Sequence, residues 1–249
     1  MKISDQKRKI KLLVSVRSLQ ESLLAAKNNV DFIDIKEPKN GPLGAAPIST
    51  IAEIANHFTL KNIDVSISSA IDNNHRKVND RVTNLRTYLR TNIDFLKIGI
   101  DGDQDSLDSF LKIYYSNSVL SLLSSEKRKF TRCLIPVFLL DKPIEIKLFR
   151  IILESKLADY FYGLMIDTKN KSHGTILDLV SYEDLKVIKK LCLKKNKYFG
   201  MAGSLDHSCI SAIKDTKPNW VGFRGGLCVN GRDSTLCVEK IKEVRGALN

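Results

Sequence analysis

The sequence predicts an α/β protein built as a single (β/α)8 barrel, and three observations carry that prediction. Short β-branched and apolar runs alternate with longer amphipathic stretches almost from end to end, which counts out as eight strand–helix pairs. No Pro-, Gly- or Ser-rich linker divides them, so one domain is expected. The length of 249 residues is what one such TIM barrel uses. A doubly wound open sheet is the alternative, but it would favour a Gly-rich phosphate loop after the first strand, and Ser15-Val-Arg-Ser has none. The catalytic barrel is therefore placed at residues 11–249, after an N-terminal extension at 1–10.

The elements follow in order. A first strand is expected at Lys11–Val16, and Ser18 then caps a helix, with Glu21 three residues on to complete a capping box. Further strands are read at 31–36, 62–68, 94–98, 133–139, 161–166, Tyr198–Met201 and Trp220–Phe223. The pattern is weakest over 116–130, where the fourth helix runs out in the polar stretch SSEKRK. Ser181 opens a helix with Leu185, Ile188 and Leu191 at helical spacing, and 238–248 reads as the closing helix.

Composition removes several function classes. Hydrophobic residues are 43 % and charged residues 27 %, ordinary for a globular chain and too apolar for a disordered one. No apolar run approaches the roughly 20 residues that cross a bilayer. The start, MKISDQKRKIKLLVSV, is basic and then apolar like a signal peptide, but Lys11 and Arg17 bracket a short apolar stretch and no small-residue cleavage site follows. A cytoplasmic protein without membrane attachment is expected. The five cysteines are odd in number, widely spaced and without C-x-x-C, and the four histidines show no ligand spacing, so neither a disulfide framework nor a metal site is indicated. The net charge of +12 resides largely in lysines on helix faces, such as Lys186, Lys189, Lys190 and Lys194. With aromatics at 7 % and no recognisable module, nucleic acid is not an expected partner; an anionic small substrate suits the charge equally.

Barrel enzymes keep their chemistry at the C-terminal ends of the strands. The second strand ends Asp34-Ile-Lys36, and residues two apart share a face, so this carboxylate and amine point inward while Ile33 and Ile35 face the helices. The fourth ends Phe95-Leu-Lys97-Ile-Gly99, with Lys97 sharing the inward parity of Phe95; the sixth ends at Asp167 and leads through Thr-Lys-Asn to Lys171. Any one of these is ordinarily half of a surface ion pair. Three lysines and two aspartates at one mouth are not. Inward lysines lose hydration and repel one another, which lowers their pKa and frees an amine for attack on a carbonyl, while the aspartates orient them or move protons. A lysine iminium is its own electron sink, so no cofactor is called for.

Two segments suggest a phosphate subsite: Gly203-Ser204 after the seventh strand and Arg224-Gly225-Gly226 after the eighth. Loops at these positions bind phosphate through backbone N–H groups, and Arg224 would add a forked contact; tight turns are the competing reading. The stretch Glu37-Pro-Lys-Asn-Gly-Pro-Leu-Gly-Ala-Ala is too long for a plain connection and reads as a shaped loop over the mouth.

Taken together, LLVSVRSLQESLLAAKNNVDFIDIKEPKNGPLGA, FLKIG, MIDTKNKSHG, MAGSL and VGFRGGLC resemble, in order and across nearly the whole chain, the (5-formylfuran-3-yl)methyl phosphate synthase family. These are barrel enzymes of methanofuran biosynthesis in methanogenic archaea, with relatives in methylotrophic bacteria. The resemblance implies a carbon–oxygen lyase that condenses two molecules of glyceraldehyde 3-phosphate into a phosphorylated furan aldehyde, one triose being held as a Schiff base. The family's Schiff-base lysine falls on Lys36 and its neighbouring aspartate on Asp34; its second lysine falls on Lys97 and its sixth-strand pair on Asp167 and Lys171. A homo-oligomer is the expected state. The chain departs from the family at SISSAIDN after the third strand, in place of a Gly-Asp turn, and at PVFLLDKP after the fifth, where Asp72 and Asp141 stand. Such loops keep a second reading open, a divergent class I aldolase on phosphorylated sugars. A non-catalytic metabolite-binding barrel is a third, and retention of all four of Lys36, Lys97, Asp167 and Lys171 argues against it.

Overall fold

A fully parallel closed sheet must be covered on its outside by helices and filled inside by side chains, so its strands are buried on both faces. The computed structural model, which describes residues 9–71, 78–125, 132–172 and 174–249, meets this requirement strand by strand. The strands are β1 (Lys11–Val16), β2 (Phe32–Ile35), β3 (Ser66–Ala70), β4 (Phe95–Asp101), β5 (Leu134–Leu140), β6 (Gly163–Thr168), β7 (Tyr198–Met201) and β8 (Trp220–Phe223). They pair in sequence order, and β8 closes on β1. Between them run α1 (Leu19–Lys27), α2 (Ile48–Leu60), α3 (Val78–Leu89), α4 (Gln104–Tyr114), α5 (Asn117–Ser125), α6 (Ile146–Glu154), α7 (Ile176–Leu179), α8 (Tyr182–Lys194) and α9 (Ile210–Thr216), with α10 (Val238–Ala247) last. No helix among the described residues is long and apolar enough to cross a membrane.

Alternation along each strand sorts the core into two parts. Outward residues such as Leu12, Val14, Ile33, Ile35, Leu96 and Ile98 join the large layer under the helices. Inward residues such as Leu13, Phe32, Ala70, Ile135, Met165 and Trp220 fill the barrel. Its floor is aromatic. Phe32, Phe95, Tyr162, Tyr198 and Trp220 contact one another with centroids 4.3–6.1 Å apart. The Trp220 indole lies across β7 at Gly200, which has no side chain to oppose it.

Several elements depart from the sequence reading. Ser18 does cap α1 by accepting from the Glu21 N–H, but the Glu21 carboxylate does not return to Ser18; it accepts from the Arg17 N–H and turns to a distant partner described below. The third strand lies at Ser66–Ala70 rather than 62–68, because the residues after α2 finish that helix. The Ile63 N–H donates to the Phe58 carbonyl, and Asn62 takes a left-handed φ of 50°. The sixth starts two residues late because 161 ends a 3-10 turn, and the fourth extends to Asp101 along a six-residue pairing with β5. The weak stretch 116–130 holds α5, a second helix after α4, rather than the end of a single fourth helix, and the end of SSEKRK falls outside the described residues.

A Cβ added at Gly200 would fall 2.0 Å from Trp220 Cε2, deep in the floor. Gly200→Ala should therefore lower unfolding free energy by about 1–3 kcal/mol through overpacking, measured by urea denaturation; unchanged stability would show the floor to be loosely filled.

Candidate active site

The register of three adjacent strands builds the centre of the site. Ser15 of β1 stands beside Asp34 of β2, which stands beside Ser68 of β3, all on the inward face. The Ser15 hydroxyl donates to Asp34 Oδ2 at 3.0 Å and the Ser68 hydroxyl to Oδ1 at 2.9 Å. From β4, Lys97 reaches across β3 to place its Nζ 2.5 Å from Asp34 Oδ2. Its register partner on β3 is Ala70, whose small side chain leaves room for the lysine stem. Asp34 has no solvent exposure and Lys97 is 2 % exposed. Burial alone would push the Asp34 carboxyl up; the charges of Lys97 and Lys36, with the Lys97 and Ser68 hydrogen bonds, outweigh it and hold the group below its ordinary range.

A second pair stands across the mouth. The Lys171 amine donates to Asp167 Oδ1 and, at 2.9 Å, to the Thr168 hydroxyl. The Thr168 N–H also donates to Asp167 Oδ1, at 2.8 Å. Asp167 Oδ2 has no hydrogen-bond partner among the described residues.

Lys36 differs from both of these lysines. It is buried, and its Nζ donates only to the Pro42 carbonyl, at 3.3 Å, with no carboxylate bonded to it among the described residues. Burial pushes its pKa down to about 8; the charges of Asp167 and Asp34 oppose the fall, and those of Lys97 and Lys171 add to it. Burial thus prepares the Lys36 amine to lose its proton not far above neutrality.

The same cavity is lined by Gly203, Ser204 and Gly225. Gly203 has a φ of +120° and Ser204 a φ of 50°, a turn that leaves their N–H groups without partners among the described residues. Gly226 stands behind the lining, where a Cβ would meet the Leu205 carbonyl at 2.5 Å; its lack of a side chain lets the loops after β7 and β8 touch.

Arg224 lines the cavity but is braced within the protein. All five of its N–H bonds are spent on protein acceptors: Nε on the Arg232 carbonyl, Nη1 on Glu21 and the Ser15 carbonyl, Nη2 on Glu21 and the Ser234 carbonyl. A guanidinium so committed has no fork left for phosphate. Sequence reasoning missed its partner Glu21, 203 residues away, and missed Arg232, which lines the cavity. Asp141 lies past β5, where its charge bears on the exposed Lys169–Asp101 pair rather than on the cavity, and Asp72 lies outside the described residues. No three His, Cys, Asp or Glu side chains converge as metal ligands among the described residues.

The family model described as 4-HFC-P synthase matches residues 12–245. A candidate (5-formylfuran-3-yl)methyl phosphate synthase of Methylorubrum extorquens is 29 % identical over 88 % of this chain and 82 % of its own. The (5-formylfuran-3-yl)methyl phosphate synthase of Archaeoglobus fulgidus is 22 % identical over 96 % of this chain and the whole of its own. Among solved structures, 3-hexulose-6-phosphate synthase of Salmonella typhimurium superposes with a TM-score of 0.61 at 10 % identity, over 96 % of this chain and 98 % of its own. Phosphoribosyl anthranilate isomerase of Thermus thermophilus does so with a TM-score of 0.58 at 13 %, with the same coverage. These two likenesses speak to the barrel alone.

The Glu21–Arg224 pair is buried on both sides, at 10 % and 5 % side-chain exposure. Glu21→Ala leaves the guanidinium unpaired and should cost about 3–5 kcal/mol in urea denaturation, whereas Arg17→Ala at the rim should cost about 1 kcal/mol or less. Equal losses would deny the pair its structural place.

Proposed function

The chain belongs to the 4-HFC-P synthase family, and from that premise we propose that it condenses two molecules of glyceraldehyde 3-phosphate into (5-formylfuran-3-yl)methyl phosphate through an imine on Lys36, as a lyase of methanofuran-type biosynthesis. The observation that carries this reading is the contrast among the three lysines. Lys97 and Lys171 are held by carboxylates, while the buried Lys36 is not and has its pKa pushed down to about 8.

The neutral Lys36 amine attacks the carbonyl carbon of one triose in its dihydroxyacetone form, and water leaves as the iminium forms. The iminium acidifies the adjacent carbon, and loss of that proton gives an enamine that attacks the aldehyde of the second triose. Asp167, with Oδ2 uncommitted, takes and returns protons, and Lys171 holds that carboxylate in place. Lys97 and Asp34 form a fixed dipole beside the iminium: the ammonium favours a developing oxyanion, and the carboxylate favours the positive nitrogen. Attack of a substrate hydroxyl on the iminium carbon closes the ring and expels the Lys36 amine, which returns the enzyme to its starting state; over the whole reaction one phosphate and two waters are lost to leave the furan. The backbone N–H groups at Gly203, Ser204 and Gly225 bind a phosphate in the manner of other barrels.

Purified protein incubated with glyceraldehyde 3-phosphate alone should yield a phosphorylated furan aldehyde, seen by ultraviolet absorbance and mass spectrometry. Borohydride should fix a triose to Lys36, and Lys36→Ala should abolish the adduct; normal trapping in that variant would sink the assignment. An adduct without furan would favour the divergent aldolase. Because only the unprotonated amine reacts, the trapping rate should climb with pH, level off above about 8, and fall about tenfold per unit below it. Asp167→Asn removes a charge that favours the protonated form, so its midpoint should move to lower pH.

A further inference from the structure

We propose that Arg232 binds the phosphate of the substrate and determines the selectivity of the site for phosphorylated trioses. The inference rests on the proposed function for its substrate class and names a residue outside the stretches that carry the resemblance.

Two arginines stand in the segment after β8, and their bonding divides them. Arg224 has no N–H to spare. Arg232 uses a single terminal nitrogen: Nη2 donates to the Pro38 carbonyl at 3.0 Å and to the Gly41 carbonyl at 3.3 Å. Its Nε and Nη1 have no partner among the described residues, and no carboxylate pairs with it there. Its guanidinium is therefore fixed at the Nη2 corner, while the Nε and Nη1 N–H groups stay free, each able to give an anion such as phosphate a single charge-assisted hydrogen bond.

Position agrees with this bonding. Arg232 lines the cavity that also holds Lys36, Gly203 and Ser204. Its Cβ lies 3.7 Å from where a side chain on Gly225 would begin, so its root sits against the loop that offers backbone N–H groups. The carbonyls it clasps belong to the loop after β2, and Gly41 directly precedes Pro42, whose carbonyl accepts from Lys36. A phosphate taken by Arg232 is thereby held at a set distance from the amine that forms the imine.

The test uses inorganic phosphate as the probe together with steady-state kinetics on Arg232→Gln and Arg232→Lys. In isothermal titration calorimetry the wild type should bind phosphate, and Arg232→Gln should bind it at least about tenfold more weakly, the loss expected for one charge-assisted pair. Arg232→Lys should retain part of the affinity. With glyceraldehyde 3-phosphate, KM should rise by about the same factor with little change in kcat, and the pH midpoint of Lys36 trapping should stay where it is in the wild type. No phosphate binding by the wild type, equal affinity in Arg232→Gln, or a fall in kcat with a displaced trapping midpoint would overturn the proposal; the last would mean that Arg232 only holds the loop. If the wild type makes no furan, the proposed function fails by itself, and the phosphate titration still decides the place of Arg232.

Discussion

Asp34 is a carboxylate with no surface in contact with water, placed in the middle of a barrel. Leaving such an ion unpaired would cost several kcal/mol, so the surrounding strands must supply donors. They do so through register: Ser15 from one neighbouring strand, Ser68 from the other and Lys97 from the strand beyond. A slip of one residue in β1 would turn Ser15 toward the helices and take its hydroxyl from Asp34 Oδ2. The requirement to satisfy one buried charge thus helps fix the pairing of four strands. It also decides how the lysines are held, because the carboxylate bonded to Lys97 is not bonded to Lys36.

A second set of bonds joins chain segments far apart in sequence. Glu21 on α1 holds Arg224 at the end of β8, and Arg224 holds the Arg232 carbonyl. The side chain of Arg232 holds the loop after β2, whose Pro42 carbonyl accepts from Lys36. The Lys36 amine is therefore positioned by its own strand and also by a chain of bonds that begins in the first helix. Arg224, which the glycine-flanked motif suggests as a ligand for the substrate, is an internal brace in that chain.

What the sequence discloses follows the range of the physical rule used to read it. Strand parity is local, and it placed Asp34, Lys36 and Lys97 on the inward face, while Asp167 was read only as the end of its strand; the structure brings these four to one mouth with Lys171. Alternation of strands with amphipathic helices is also local, and the closed eight-stranded order follows from it. Boundaries failed where a non-local or backbone effect prevailed, as at β3, where the chain after α2 uses 61–63 to finish the helix. The roles of Arg224 and Glu21 were illegible because neither residue signals a partner 203 positions away. The inward parity of Ser15 and Ser68 could have marked them as donors to Asp34, since a buried carboxylate between two strands needs hydroxyls or amides from its neighbours.

The charges at the mouth permit one more step. Five basic side chains line the cavity: Lys36, Lys97, Lys171, Arg224 and Arg232. Three are matched to carboxylates, Lys97 by Asp34, Lys171 by Asp167 and Arg224 by Glu21. The two without such a match, among the described residues, are Lys36 and Arg232, and they differ in the property that matters. A lysine relieves an unfavourable burial by releasing its proton, as the fall of Lys36 to about 8 indicates, and so becomes a nucleophile. An arginine cannot release its proton and must keep its positive charge, which only an incoming anion can neutralise. A substrate with a carbonyl at one end and a phosphate at the other meets both needs at once, and binding it leaves no cation at the mouth unmatched.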